Sequence, residues 1–308
     1  MVKFSFFLPA FKAEYLKEAI QSIVSQSLED WELLIVNDDS PYDIEGVVNG
    51  FMPDSRISYL KNEKNLGEND LVGFWNKFFH RCKGDYLIFA SDDDAYEPDY
   101  LYEMLCLSEN YPDCDILHCR TRYIDPQGRV IQLAQPALCQ ESQIDFIYQV
   151  LLWGRKLTLQ ECCFKKQPLE NAGGLVHFPL AWYSDWATAF LMAQNGVAYS
   201  ERVLFNFRMS ESNLSRQDRH SIQKTEAMKQ FVNWMARFLP SLACGSEDDC
   251  FMKERLLRLY RSIIYSHYHI YLPYFGTKAF FQEMNHIRTH HIFDFKTRVS
   301  MIIRHLVS

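Results

Sequence analysis

The sequence predicts an α/β fold: a mixed, mainly parallel sheet with helices on both faces, followed by a helical C-terminal extension. Three observations predict it. Short apolar runs of strand character alternate with stretches of helical apolar spacing through the first hundred residues, and parallel strands need such crossover helices. Polar and acidic residues gather directly after two of those runs, at the carboxyl ends where open α/β sheets bind ligands. From about Ser221 onward only helical spacing remains.

Each element follows from its local pattern. Phe4 to Leu8 reads as a buried parallel strand that Pro9 ends. Leu16, Ala19, Ile20, Ile23 and Val24 place a helix between Ala13 and Gln26. Trp31 to Val36 is a second strand, closed by Asn37-Asp38-Asp39-Ser40-Pro41, and Ile57 to Leu60 a third. A helix from about Asp70 to Cys82 ends before Gly84. Tyr86 to Ala90 is the fourth strand, ending in Ser91-Asp92-Asp93-Asp94, and Pro98 opens the next helix. Asp115 to Ile124 and Arg129 to Leu133 form a hairpin around Pro126-Gln127-Gly128. A helix from Ile144 to Trp153, a strand from Leu159 to Phe164, a loop at Asn171-Ala172-Gly173-Gly174, a helix from Ser184 to Gln194 and a strand from Val203 to Phe207 follow. Four helices close the chain: Thr225–Leu239, Asp248–Tyr268, Thr277–Thr289 and Lys296–Leu306.

Composition bounds the function classes. With 308 residues, 48% apolar and 23% charged, the chain builds a sizeable core, which excludes a disordered tail, a collagen and a coiled coil. No apolar run approaches a membrane span of about 18 residues. Met1-Val2-Lys3-Phe4 runs straight into a strand pattern, so no signal peptide is read. The net charge of −7 hides an asymmetry: residues 253–308 carry nine Lys/Arg against three Asp/Glu, a net of +6, and leave −13 on the rest. That acidic body argues against nucleic-acid binding. The nine cysteines form no paired zinc or disulfide pattern and read as reduced thiols of a cytoplasmic protein.

The acidic clusters carry the chemistry. Adjacent aspartates repel one another and call for a cation. Hard oxygen ligands suit Mg2+ or Mn2+, which take one or two carboxylates together with substrate phosphates. Asp92-Asp93-Asp94 is therefore a metal–diphosphate anchor or, as the plain alternative, an acidic turn before a helix. Asn37-Asp38-Asp39-Ser40 either accepts hydrogen bonds from a base or ribose or closes its strand as an Asx turn. No G-x-G-x-x-G, P-loop or G-x-S-x-G sequence follows any strand, which argues against dinucleotide oxidoreductases, P-loop nucleotidases and α/β-hydrolases. His286 and His290 lie one helical turn apart but lack the glutamate of an H-E-x-x-H metal motif.

Read together, the motifs resemble family 2 glycosyltransferases of the GT-A fold over roughly residues 3–216. Phe7-Leu8-Pro9-Ala10-Phe11 followed by Ser22-Ile23-Val24-Ser25-Gln26-Ser27 is similar to the family opening P-x-Y-N … S-I-L-x-Q-T. Glu32 to Ser40 resembles E-I-I-V-D-D-G-S, and Asn65-Leu66-Gly67 resembles N-x-G. Asn76 with Gly84-Asp85-Tyr86 matches the spacing of R-N … G-x-Y, and Ser91-Asp92-Asp93-Asp94 occupies the place of the D-x-D-D metal motif. Cys162-Cys163-Phe164-Lys165-Lys166, Gly173-Gly174 and Ser184-Asp185-Trp186 resemble F-R-R, G-G-F and E-D-W-D, and Phe207-Arg208 resembles Y-R. The chain departs from the pattern at Phe11 and Lys12 for Tyr-Asn, Asn37 and Ser91 for aspartates, Trp75 for an arginine and Ser184 for an acid.

The resemblance implies an inverting, metal-dependent sugar transfer from a nucleoside-diphosphate donor, expected to be a UDP-sugar, to a hydroxyl of a glycan or lipid-linked glycan. It implies nucleotide contacts from Pro9, Ala10, Phe11, Asp38, Asn65 and Asp92, a divalent metal on Asp93 and Asp94, a diphosphate contact from Arg208 and a general base in Asp185. Asp185 also has the plain reading of a helix-start carboxylate. The expected division is a catalytic unit over 1–216, with a nucleotide half (1–98) and an acceptor half (99–216), and a helical extension over 217–308. Apolar stripes beside Lys278, Arg288, Lys296, Arg298 and Arg304 make 270–308 a candidate basic amphipathic surface for peripheral contact with the inner face of a membrane, or a face packed on the core. Two other classes stand beside this reading: a catalytically silent nucleotide-sugar-binding scaffold, suggested by Ser91, Asn37 and Trp75, and a metal-dependent nucleotidyltransferase, which would need a Gly-rich basic loop that residues 8–12 do not supply.

Overall fold

A computed structural model describes residues 2–210 and 221–271. Alternation begins as expected: β1 (Phe4–Ala10), α1 (Leu16–Val24), β2 (Trp31–Asn37), α2 (Ile44–Asn49), β3 (Ile57–Lys61), α3 (Gly67–Phe78) and β4 (Tyr86–Phe89). These strands lie in the order β3-β2-β1-β4, all parallel. β1 is buried on both faces, as its continuous apolar run requires. It runs past Pro9 to Ala10, because β1 pairs with β4 only through Phe7, and the proline's missing N–H falls beyond that ladder.

α3 is broken at Asp70, whose carboxylate accepts the Gly73 N–H at 2.8 Å, so the regular helix starts where the sequence places it. Gly84 answers to a close approach rather than a helix end: a Cβ there would stand 2.8 Å from the Phe4 carbonyl carbon.

The second half continues with β5 (Ala95–Tyr96), α4 (Tyr100–Asn110), β6 (Ile116–Ile124), β7 (Val130–Leu133), β8 (Gln140–Glu141), α5 (Gln143–Trp153), β9 (Cys162–Lys165), α6 (Lys166–Asn171), α7 (Ser184–Met192) and β10 (Val197–Arg208). β9 joins the halves by running antiparallel to both β4 and β6. β10 runs parallel to β6 and begins six residues before the expected strand, at Val197, and ends one residue after it, at Arg208. The result is a mixed, mainly parallel sheet.

Two further helices, α8 (Ser221–Ser241) and α9 (Glu247–Tyr271), contain the first two expected C-terminal helices. Ala227, Met228, Phe231 and Met235 of α8 and Leu256 of α9 enter the same apolar cluster as Phe146, Ile147 and Phe190. The helices expected over 277–289 and 296–306, the histidines at 286 and 290, and most of the candidate membrane stretch 270–308 lie outside the described residues. Among the described residues, no helix is long and apolar enough to cross a membrane.

Candidate active site

The carboxyl ends of β1, β2 and β4 meet at one edge of the sheet. Asp92, just past β4, accepts the backbone N–H groups of Phe11 (2.9 Å) and Lys12 (2.6 Å) on one oxygen, Oδ2, which clamps the chain leaving β1. The Lys12 ammonium lies 2.6 Å from Asp93 Oδ2 and 3.8 Å from Asp92 Oδ1. Burial works against that ammonium, but the charges of Asp92 and Asp93 outweigh it and hold the Lys12 pKa above the ordinary lysine value. Burial likewise pushes the Asp92 carboxyl up, with Lys12 opposing.

Asp94 is turned elsewhere. One of its oxygens accepts the Ser91 hydroxyl and the other the backbone N–H of Arg208 at 2.8 Å. Burial, then the neighbouring Asp93, raise its pKa. Arg208, 2% exposed, lies beneath the cluster. Its guanidinium donates to the Asp93 carbonyl (2.9 Å), the Pro126 carbonyl (3.3 Å) and the Glu18 carboxylate, and stacks 4.3 Å from the Tyr15 ring. These contacts tie the β4 end, the β6–β7 turn, α1 and β10 into one scaffold.

Asp38 follows β2. Its carboxylate accepts Asn62 Nδ2 at 2.7 Å and the N–H groups of Leu66 (2.9 Å) and Gly67 (2.7 Å), so it organises the loop entering α3. Asn65 accepts the Glu68 N–H at 2.8 Å and shapes the same turn. Asn37 donates to the Tyr59 hydroxyl (2.9 Å) and accepts the Ser40 N–H (2.9 Å). Ser40 donates to the Phe11 carbonyl and the Asp38 N–H to the Ala10 carbonyl (3.3 Å), which joins the β1 and β2 ends, and the Phe11 ring is 39% exposed. Pro9 pairs with Val36 and Ala10 with Asn37 in the β1–β2 ladder.

Asp185 stands in the first turn of α7. The segment before it carries positive φ at three non-glycine residues, Leu180 (57°), Ala181 (56°) and Tyr183 (64°), a costly conformation that persists only where the surroundings enforce it. Ser184 accepts the Phe178 N–H (3.1 Å) and Thr188 the Val176 N–H (2.9 Å). The Tyr183 ring stacks on Phe231 of α8 at 4.7 Å. Farther back, Asn76 of α3 holds both backbone groups of Leu175, at 2.8 and 3.0 Å, beside Gly174, where φ is 92° and a Cβ would meet Asn76 Oδ1 at 2.5 Å. Burial raises the Asp185 pKa to about 7, against the local hydrogen bond from the Trp186 N–H.

The structure thus gathers Phe11, Lys12, Asp92, Asp93, Asp94 and Arg208 through direct contacts and joins Asp38 and Asn65 through one loop, while Asp185 belongs to another element. Two features escaped the sequence reading. Lys12 counted only as a departure from the family pattern, although a lysine two residues after a strand-end Pro-Ala signals a cation near the acidic cluster. Glu161, buried behind β9, accepts the hydroxyls of Thr121 (2.6 Å) and Thr158 (3.1 Å) and lies 3.5 Å from His118 Nδ1, a cluster with no local signal in the sequence.

The family model described as glycosyl transferase family 2 matches residues 5–165, just over half of the chain. The chain belongs to glycosyl transferase family 2. The aligned region of this family 2 chain is 31% identical over 125 residues to an uncharacterized glycosyltransferase of Methanocaldococcus jannaschii, covering 40% of this chain and 42% of that protein. It is 34% identical over 97 residues to the Campylobacter jejuni GalNAc(5)-diNAcBac-PP-undecaprenol beta-1,3-glucosyltransferase, covering 30% of each. The chain therefore spans less than half the length of these two relatives. S. aureus TarS, solved with UDP, superposes with a TM-score of 0.64 at 14% identity over 92% of this chain and 78% of that one. The mannosyltransferase PcManGT of Pyrobaculum calidifontis, solved with GDP-Man and Mn2+, gives 0.55 at 13% identity over 99% and 87%. At these identities the likeness shows the fold, which is GT-A.

Proposed function

We propose that this protein transfers a sugar from a nucleoside-diphosphate donor, a UDP-sugar in the first instance, to a hydroxyl of a glycan or lipid-linked glycan during polysaccharide assembly, with inversion at the anomeric carbon. One observation carries the reading: the chain leaving β1 is fastened to Asp92, and beside it Asp93 holds the Lys12 ammonium at 2.6 Å. Further support comes from the printed ligands of the neighbours, UDP, UDP-GlcNAc and GDP-Man, and from the undecaprenol-linked acceptor named for the Campylobacter relative.

The residues fit a divalent ion supplied together with the donor. Among the described residues no three His, Cys, Asp or Glu side chains form a ready cage. Of these residues, Asp93 and the Oδ1 of Asp92 face only the Lys12 ammonium, while each oxygen of Asp94 accepts a donor from the fold. One or two carboxylates completed by phosphate oxygens is the arrangement Mg2+ favours. Mn2+ or Mg2+ on Asp93 and Asp92 would neutralise the departing diphosphate. Asp94 and Arg208 then act as positioning residues that hold Asp93 from behind, rather than as metal ligand and diphosphate contact. Asp38 has three of its roughly four acceptor positions filled by the α3 loop, and the fourth is available to a nucleobase N–H. The exposed Phe11 ring offers a stacking face to the base.

Asp185 is the proposed general base. As the acceptor oxygen attacks the anomeric carbon, the bond from that carbon to the diphosphate breaks and the hydroxyl proton passes to the Asp185 carboxylate. A single in-line displacement inverts the centre. A base pKa near 7 suits that proton transfer at neutral pH. Residues 270–308 are proposed to touch an anionic membrane that carries the acceptor.

A thermal-shift panel of UDP- and GDP-sugars with and without Mn2+ tests the donor reading. The expected result is a Tm rise of several degrees with one donor class, larger with Mn2+. No shift with any nucleotide-sugar would overturn it.

A further inference from the structure

Lys12 occupies an unusual place for a side chain beside a metal-facing acid. The family pattern quoted above has asparagine at this position; here an ammonium lies 2.6 Å from Asp93 Oδ2 and 3.8 Å from Asp92 Oδ1. The two carboxylates are nearly buried, at 10% and 8% side-chain exposure, while Lys12 retains 30%. Its backbone is fixed by the 2.6 Å bond to Asp92 Oδ2, so only the flexible butyl stem is free to swing. Each oxygen of Asp94 already accepts a donor, from Ser91 and from the Arg208 N–H, and no group of three metal-ligating side chains exists among the described residues. The ammonium therefore sits on Asp93 Oδ2 and close to Asp92 Oδ1, two of the oxygens on which a divalent ion could settle.

The two cations exclude each other. A divalent ion coordinates carboxylate oxygen at about 2.1 Å for Mg2+, closer than the ammonium stands, and both cannot share Asp93 Oδ2 without strong repulsion at short range. An incoming diphosphate changes the balance, since it brings anionic oxygens that accept a lysine as a point charge.

We infer that Lys12 is a resident cation that holds Asp93 in the donor-free protein and passes to the donor diphosphate when it binds, so that the divalent ion enters with the nucleotide and not before it. The inference rests on the nucleoside-diphosphate reading above. It makes Lys12 both a guard of the metal position and a binding residue for the leaving group, and it assigns the order of ligand entry.

The test is Mn2+ binding to the full chain, read from the electron paramagnetic resonance signal of free Mn2+, with and without UDP. Wild type should bind Mn2+ weakly alone and at least about tenfold more tightly with UDP. Lys12→Gln should bind Mn2+ alone about tenfold more tightly than wild type and, without metal, bind UDP about tenfold more weakly, because a unit charge removed at this distance is worth at least a factor of that order. Lys12→Arg keeps the charge and should keep metal binding weak, which separates charge from packing. Equal Mn2+ affinity of wild type and Lys12→Gln without nucleotide, while UDP still tightens Mn2+ on wild type, would overturn the inference alone. Absence of Mn2+ binding in the presence of both UDP and GDP would overturn the metal–diphosphate reading and the inference with it.

Discussion

At the scale of single residues, Asp185 distinguishes catalysis from capping. Its pKa lies near 7, raised by burial from the ordinary 3.8. The base works only when ionised, so kcat/KM should rise with pH and level off above about 7; a profile flat from pH 5 to 9 would remove Asp185 from the role. Stability runs the other way. The folded protein binds an extra proton at Asp185 between about pH 4 and 7, so this group's contribution is full below pH 4 and is lost as pH rises through 7. Asp185→Asn should therefore melt higher than wild type at pH 8, by at least about 1 kcal/mol of stability, with the gap shrinking as pH falls and closing only below about pH 4. A helix-start carboxylate valued for its charge would give the opposite sign at pH 8. The residues of these clusters were legible as types and positions: Asp38, Asp92, Asp93 and Asp185 stand at strand ends or a helix start, where the alternation of elements puts them. Their partners were not. Asp92 meets Lys12 across 80 residues and Asp94 meets Arg208 across 114, and no periodicity within a short window encodes a pairing of that span.

At the scale of elements, the segment 175–184 is built to hold a strained entry to α7. The chain before its positive-φ residues is held by the N–H groups of Leu175, Val176 and Phe178, which donate to Asn76, Thr188 and Ser184, and Tyr183 itself stacks on Phe231. α8 thereby braces the element that carries Asp185, the proposed base. Phe231→Ala removes that brace and a buried ring, which should cost about 3 kcal/mol in denaturant unfolding. It should also lower kcat more than it raises KM, whereas a loss confined to KM would place the brace on substrate binding instead. Elements were legible where their patterns were long. β1, β2 and β4 are continuous apolar runs, and α1 has a clean helical stripe. The two-residue strands β5 and β8 and the six-residue helices α2 and α6 are shorter than any period can reveal. The sequence pattern shows only the second part of β10 because exposed Glu201 and Arg202 interrupt the apolar run where the strand's register shifts, between Ser200 and Val203.

At the scale of the whole molecule, α8 and α9 bury side chains in the core that α5 and α7 share. The charge asymmetry remains a property of the chain, with a net of +6 over residues 253–308 against −13 elsewhere. The proposed membrane contact predicts that the full chain sediments with liposomes containing anionic lipid and that a 1–270 truncation does not, with the difference lost at high salt. Equal sedimentation of the two forms contradicts it.

The central claim is that a strand-end donor site and a separate carboxylate on α7 together perform sugar transfer. Donor affinity and turnover of Asp185→Asn, measured on one preparation with the nucleotide-sugar that gives the largest thermal shift, test it most directly. Donor affinity is expected within about twofold of wild type and turnover reduced by roughly 10²–10⁴. Turnover equal to wild type at unchanged affinity would contradict it.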